Sequence, residues 1–225
     1  MTEVKWLHII EAMLPYQECL PVPVSARKLR LFMVACCRSI PGFLWLDDNC
    51  IRAVTVAERY ADGYCSEADL DRANSMMSCE CADHQGDRAR EAIFCTTIKK
   101  AIEGIHLCFH YAQFATLERD RGDPEHRETN SEVRLAAVRM KQARLACCIF
   151  GDPLRSAPFL PSYRTDTAVS LAQRMYVSRE FSAMPILADA LQDAGCDNDD
   201  ILSHLRGGGP HVKGCWALDA LLGKT

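Results

Sequence analysis

The sequence has no run of 18 consecutive uncharged apolar residues, which excludes a membrane-spanning helix. It has no excess of positive charge: 26 basic residues stand against 30 acidic ones. No basic stretch compensates locally, so nothing gathers phosphates and no nucleic-acid partner is expected. The N-terminal stretch MTEVKWLHIIEAMLPYQECL carries Glu3, Lys5, Glu11 and Glu18, which breaks the basic-then-apolar pattern of a secretory signal. A cytoplasmic protein without membrane attachment is expected. Strand-like alternation is nearly absent, and so are the local signatures of catalysis: there is no G-x-S-x-G elbow, no H-E-x-x-H and no C-x-x-C.

Apolar residues at helical spacing are abundant, at 48% of the chain. They predict an all-α, bundle-like domain of about eight to ten helices. The first helix carries Trp6, Ile9, Ile10, Met13 and Leu14, and residues 15–24 form a Pro-rich connector. Ser25 caps a second helix with the stripe Leu29, Phe32, Met33, Cys36 and Ile40. A third runs from about Asp47 to Asp62 and stops at Gly63; Ser66 and Asp69 form a capping box for a fourth. The spacing then predicts one long helix from about Asp87 to Glu118, and another from Ser131 to Phe150 stopped by Gly151 and Pro153. The Pro-rich stretch that follows, to Pro161, is expected to lie extended. Short helices follow from Thr165 or Asp166, from Pro185, from Asp197 to Asp200, and around Trp216, Leu218 and Leu221. The charged segment RDRGDPEHRETN, 119–130, reads as a linker. It allows two lobes, 1–118 and 131–225, within a single domain of 1–225.

Thirteen cysteines are many, but the number is odd and a chain of this length builds a core without staples, so a reduced state is expected. The best metal candidate is Cys196, His204, His211 and Cys215, a C-x7-H-x6-H-x3-C arrangement across a Gly-rich break; two thiolates and two imidazoles satisfy tetrahedral zinc. The spacing fits no standard finger, and the alternative is that Cys196 and Cys215 are small buried residues. Glu103, His106 and His110 share one helical face in an E-x-x-H pattern, but a di-iron site needs that pattern twice, so two half-solvated histidines are favoured. The pairs Cys36–Cys37 and Cys147–Cys148, with Cys79 and Cys81, invite a redox reading. Vicinal helical residues point about 100° apart, so only pairing across helices would serve. The terminal GKT lacks the glycine and helix of a phosphate loop, and the run from Gly207 to Gly214 reads as a connector rather than an anion nest.

The C-terminal segment PILADALQDAGCDNDDILSHLRGGGPHVKGCWALDALLGKT, 185–225, resembles the signature block of a family of helical proteins associated with Planctomycetes. RKLRLFMVACCRSI at 27–40, AVTVAERYADG at 53–63 and RLACCIFGDPLR at 144–155 resemble that family's earlier blocks, in order. The resemblance implies a shared all-helical fold and supplies no catalytic residue or cofactor. Leu205 departs from it, since a cysteine is expected after the histidine.

The resulting expectation is a non-enzymatic helical interaction or adaptor protein with a protein partner. Its contact surface would be His204, Arg206, His211, Lys213 and Trp216 beside the Gly-rich turn. The alternative is a zinc-binding protein with a structural metal in that segment, and an enzyme without a recognisable motif comes third.

Overall fold

The computed structural model describes residues 24–120, 131–152 and 159–224. The first expected helix and most of the charged segment 119–130 lie outside the described residues. Within them the chain is all-helical, with ten α-helices and two short 3-10 turns. In chain order these are α1 (Ala26–Arg38), a 3-10 turn (Phe43–Trp45), α2 (Asp48–Ala61), α3 (Glu67–Asp83), α4 (Arg88–Thr97), α5 (Ala101–Asp120), α6 (Ser131–Phe150), a 3-10 turn (Pro161–Tyr163), α7 (Asp166–Ser178), α8 (Met184–Asp193), α9 (Asp199–Arg206) and α10 (Trp216–Leu222). No helix among the described residues is long and apolar enough to cross a membrane.

The caps explain the starts. Ser25 Oγ accepts from the Lys28 amide at 3.3 Å, Asp47 Oδ1 from Cys50 at 2.9 Å, and Asn198 Oδ1 from Asp200 at 3.0 Å and Ile201 at 3.1 Å. Each satisfies an amide that the first helical turn leaves without a partner. Ser66 and Asp69 form the reciprocal box, with the Ser66 amide donating to Asp69 at 2.8 Å and the Asp69 amide to Ser66 Oγ at 3.2 Å. Gly63, at φ 74°, follows α2 in the left-handed conformation that a side chain would strain.

The chain divides into two compact units at Ala143/Arg144. The division therefore falls inside α6 rather than at the charged segment. In the N-terminal unit α1 is the central element: Leu29 through Cys37 are all buried, and the helix packs against α2, α4 and α5. Its stripe is buried, and so are Arg30, Leu31, Val34, Ala35 and Cys37 between the stripe positions. The first part of α6 is tied to α5, where Gln113 Nε2 donates to Gln142 Oε1 at 2.8 Å and Gln142 Nε2 to the Phe109 carbonyl at 3.2 Å.

The expected helix from Asp87 to Glu118 is two helices. Ile98 is extended (φ −60°, ψ 130°), and the chain turns before α5 begins. The reason lies in another helix. The buried Arg30 guanidinium donates to the Thr96 carbonyl and, at 2.8 Å, to the Lys99 carbonyl, so it satisfies groups that a helix end would orphan. The Thr96 and Thr97 hydroxyls bond back to the carbonyls of Ile93 and Phe94 at 2.7 and 2.6 Å. Gly104 lets α5 press onto the end of α4; a Cβ there would lie 2.5 Å from the Cys95 carbonyl oxygen.

In the C-terminal unit, α7 to α10 enclose one core. It includes Tyr163, Ala172, Met175, Leu187, Leu191, Cys196, Ile201, Leu205, Cys215 and Leu218, together with Cys148 from the end of α6. The stretch before α7 is not wholly extended: Leu160 is, but Pro161–Tyr163 makes a 3-10 turn, and residues 153–158 lie outside the described residues.

Candidate metal centre

Four side chains of the C-terminal unit converge: Cys148 from the last turns of α6, His204 from the last turn of α9, His211 from the Gly-rich connector, and Cys215, the residue just before α10. Their ligand atoms all lie within 4.8 Å of one another. Tetrahedral zinc with Zn–S near 2.3 Å and Zn–N near 2.0–2.1 Å needs ligand separations of about 3.3–3.8 Å. His204 Nε2 already stands 3.2 Å from Cys215 Sγ, so the group needs only a small contraction around an ion. The two thiols are buried and the two imidazoles half-buried, so the sulfurs form the floor of the site and the rings its rim.

The histidines are oriented for ligation. His211 Nε2 lies 3.3 Å from the Gly207 carbonyl, which can only accept, so Nε2 carries the proton and Nδ1 presents its lone pair. That Nδ1 is buried, and the Cys215 sulfur is the polar neighbour of the ring besides the Gly207 carbonyl. A backbone carbonyl fixing the far nitrogen of a ligating histidine is the usual outer-shell arrangement of metal sites. The His204 and His211 rings meet edge to face at 5.1 Å.

Trp216 braces the group. Its indole lies 5.3 Å from the His204 ring, tilted by 41°, and it also covers Gly151. A Cβ on Gly151 would sit 3.4 Å from Trp216 Cγ, and the residue adopts φ 74° as α6 ends. One ring thus packs on His204 and on the turn beyond the Cys148-bearing helix.

The electrostatics set Cys215 apart. Burial pushes its thiol up, but contacts with Cys148, His204 and His211 outweigh burial and hold it well below the ordinary thiol value. Burial likewise pushes the His211 imidazole down, while Cys215 and the Gly207 carbonyl override it and raise it.

The expected quartet differs from the observed one at a single position. His204, His211 and Cys215 come together, but Cys196 does not join them. It is buried beside the Tyr163 hydroxyl, and Cys148 takes the fourth place. No spacing rule could have found Cys148, because it comes from a different helix far upstream. The signal was the vicinal pair Cys147–Cys148, of which one member is buried in the C-terminal core. Leu205 is fully buried in that core, so the residue after His204 is a packing position and not a ligand.

The expected contact surface splits in two. His204, His211 and Trp216 face one another, whereas Arg206 is exposed and binds Asp189 at 2.8 Å and Gln192 at 2.7 Å. Lys213 is half-buried with its ammonium over the Tyr176 ring at 5.0 Å. On α5, His106 and His110 are both half-buried with their rings stacked at 5.8 Å, as the favoured reading had it, and Glu103 pairs with Lys100 at 3.1 Å instead of joining them. Cys37 meets Cys108, with sulfurs 3.8 Å apart, rather than another vicinal pair. None of the described cysteines is in a disulfide.

No family model matches the chain, and no curated protein or solved structure matches it.

Proposed function

We propose that the C-terminal unit binds one zinc ion through Cys148, His204, His211 and Cys215, and that the metal has a structural role. The observation that carries this reading is the convergence of two buried sulfurs and two half-buried imidazoles within 4.8 Å, with the His211 Nδ1 buried while its Nε2 is fixed by the Gly207 carbonyl. Two thiolates and two imidazoles suit zinc among the common divalent ions. Four protein ligands leave no open position for water or substrate, which is the mark of a structural rather than a catalytic site. The ion would join the end of α6, the end of α9, the Gly-rich connector and the start of α10, adding a cross-link to a small core.

The test is metal content by mass spectrometry of the intact full-length protein, purified reduced and without chelator. One zinc per chain is expected. Cys148→Ser is expected to abolish binding and Cys196→Ser to preserve it; the reverse pattern would restore the quartet expected from spacing, and an unmetallated parent protein would end the reading.

A second reading, a non-enzymatic interaction module with a protein partner, is favoured by one feature of the N-terminal unit. Leu44 and Trp45 are 77% and 91% exposed at adjacent positions, an apolar surface that folding leaves uncovered. Replacing both with serine should weaken capture of a purified partner without changing stability, and undiminished capture would remove the reading.

A further inference from the structure

Two of the four ligand atoms in the proposed metal site are sulfurs from distant parts of the C-terminal unit that lie within 4.8 Å of each other, and this pairing allows more than metal binding. We propose that the site is a peroxide-sensitive metal switch, in which oxidation joins Cys148 to Cys215 as a disulfide and expels the ion. The proposal rests on the metal reading above.

The chemistry balances. The Cys215 sulfur attacks one oxygen of hydrogen peroxide, the O–O bond breaks and hydroxide leaves, giving a sulfenic acid. The Cys148 sulfur then attacks that sulfur, a second hydroxide leaves, and the S–S bond forms. The two thiolates lose two electrons, peroxide gains two, and two protons from solvent convert the hydroxides to water. Zinc departs as the same divalent ion, because a disulfide is no longer a thiolate ligand.

Three observations favour this pair over the chain's other cysteines. The Cys148 and Cys215 sulfurs are near neighbours within one cluster, so the second step needs little movement. His204 Nε2 lies 3.2 Å from Cys215 Sγ, beside the atom that attacks. Both imidazoles are half-buried where both sulfurs are buried, and His211 follows the exposed run Gly207–Gly209 in the chain, so the histidine side of the cluster is the side nearer solvent. The Cys37–Cys108 pair also holds its sulfurs close, at 3.8 Å, and is as deeply buried as Cys148 and Cys215, but among the described residues it belongs to no cluster with histidine ligand atoms.

Oxidation has a structural consequence. With metal, the connector 207–214 is tied at His211 as well as at Lys213, which lies over the Tyr176 ring; with the disulfide the metal tie at His211 is gone. The redox state therefore sets how firmly this connector is held.

The experiment uses the full-length zinc-loaded protein, its loading confirmed beforehand by metal analysis. Hydrogen peroxide is added at up to tenfold excess while a colorimetric indicator follows zinc, and disulfides are mapped by non-reducing peptide mass spectrometry. The expected result is release of one zinc per chain, loss of two thiols, a 148–215 linked peptide, severalfold faster proteolysis within 207–214, and reversal by dithiothreitol with added zinc. Cys79→Ser and Cys147→Ser, which leave the four ligands in place, should release zinc at the parent rate. Zinc retained at tenfold peroxide, a disulfide between Cys37 and Cys108, a sulfinate without a disulfide, or release abolished by Cys147→Ser would each overturn the switch while leaving the metal site standing. A protein that carries no zinc before peroxide is added would overturn both.

Discussion

The N-terminal and C-terminal units each bury a pair of cysteines with their sulfurs close together, and the two pairs have opposite chemistry. In the N-terminal unit Cys37 and Cys108 touch at 3.8 Å among apolar side chains, and the Cys108 thiol is raised well above its ordinary value by burial and by its neighbour. In the C-terminal unit Cys215 is equally buried, yet Cys148 and two imidazoles draw it well below that value. Burial alone makes a thiol an inert packing residue, whereas burial beside nitrogen bases lowers its pKa and fits it to ligate a metal. The difference therefore lies in what surrounds the sulfur, which cysteine counts do not reveal.

The strongest way to break this comparison is to remove the proposed metal. A ligand at about a thousand times its Kd stabilises by about 4 kcal/mol. In a unit of roughly 60–100 residues that is about 15–30 °C of melting temperature. A strong chelator, or Cys215→Ser, should lower the melting of the C-terminal unit by that order, read by calorimetry. The double variant Cys37→Ala/Cys108→Ala should leave metal content unchanged, and any loss of metal from it would erase the distinction between the two pairs.

Alkaline pH sharpens the contrast from the other side. Burial first, then Asp47, pushes Cys50 to about 12; burial first, then Cys37, pushes Cys95 to about 12. Unfolded thiols titrate near 8.5. Between these values the unfolded chain has lost protons that the folded chain keeps, so the stabilisation present below about pH 8.5 is lost as pH rises towards 12. The loss is at most about 1.4 kcal/mol per pH unit for each thiol. Cys215, depressed, has the opposite sign: in metal-free protein its contribution is present above the ordinary thiol pKa and is lost as pH falls through its lowered value. His211, raised, contributes below about 6.5 and loses that contribution as pH rises through its folded value. Limited proteolysis in urea at pH 8, 9 and 10 should release fragments of the N-terminal unit at progressively lower urea. A pH-independent midpoint would contradict the raised thiols.

Much of the fold was legible because its signals are local. Ser25, Asp47, the Ser66–Asp69 box, Gly63 and Gly151 mark helix ends through contacts a few residues long. The break at Ile98 was not legible, since its decisive residue is Arg30, in a helix that the periodicity reads only as a stripe. The metal quartet divides along the same line. His204, His211 and Cys215 lie within a single short stretch and were found together, while Cys148 reaches the site only through the packing of α6. Cys196 has the right chemistry and a plausible spacing, but it belongs to the packing core.

That break supplies the next test. Arg30→Met fills the same volume but leaves the Thr96 and Lys99 carbonyls without their donor, and buried unsatisfied groups of this kind cost about 1–3 kcal/mol each. A loss of about 2–4 kcal/mol in urea unfolding is expected, with metal content unchanged. Gly104→Ala, which forces a Cβ against the Cys95 carbonyl, should cost about 1–3 kcal/mol.

The smallest effect belongs to the residue that stands nearest the site without serving it. Arg206 lies two positions beyond His204, yet its side chain is 43% exposed and its ion-pair partner Asp189 is 70% exposed. An exposed pair of this kind is worth at most about 1 kcal/mol, because water screens the charges and ordering two long side chains costs entropy. Arg206→Ala is therefore expected to shift stability by less than about 1 kcal/mol and to keep the zinc, whereas His211→Ala, five positions on, removes a ligand and should lose it. If the two variants behaved alike, the residues around the Gly-rich connector would act as one surface, as proximity in sequence suggests. If they diverge, the imidazoles belong to the interior chemistry of the C-terminal unit, and Arg206 marks where that chemistry stops.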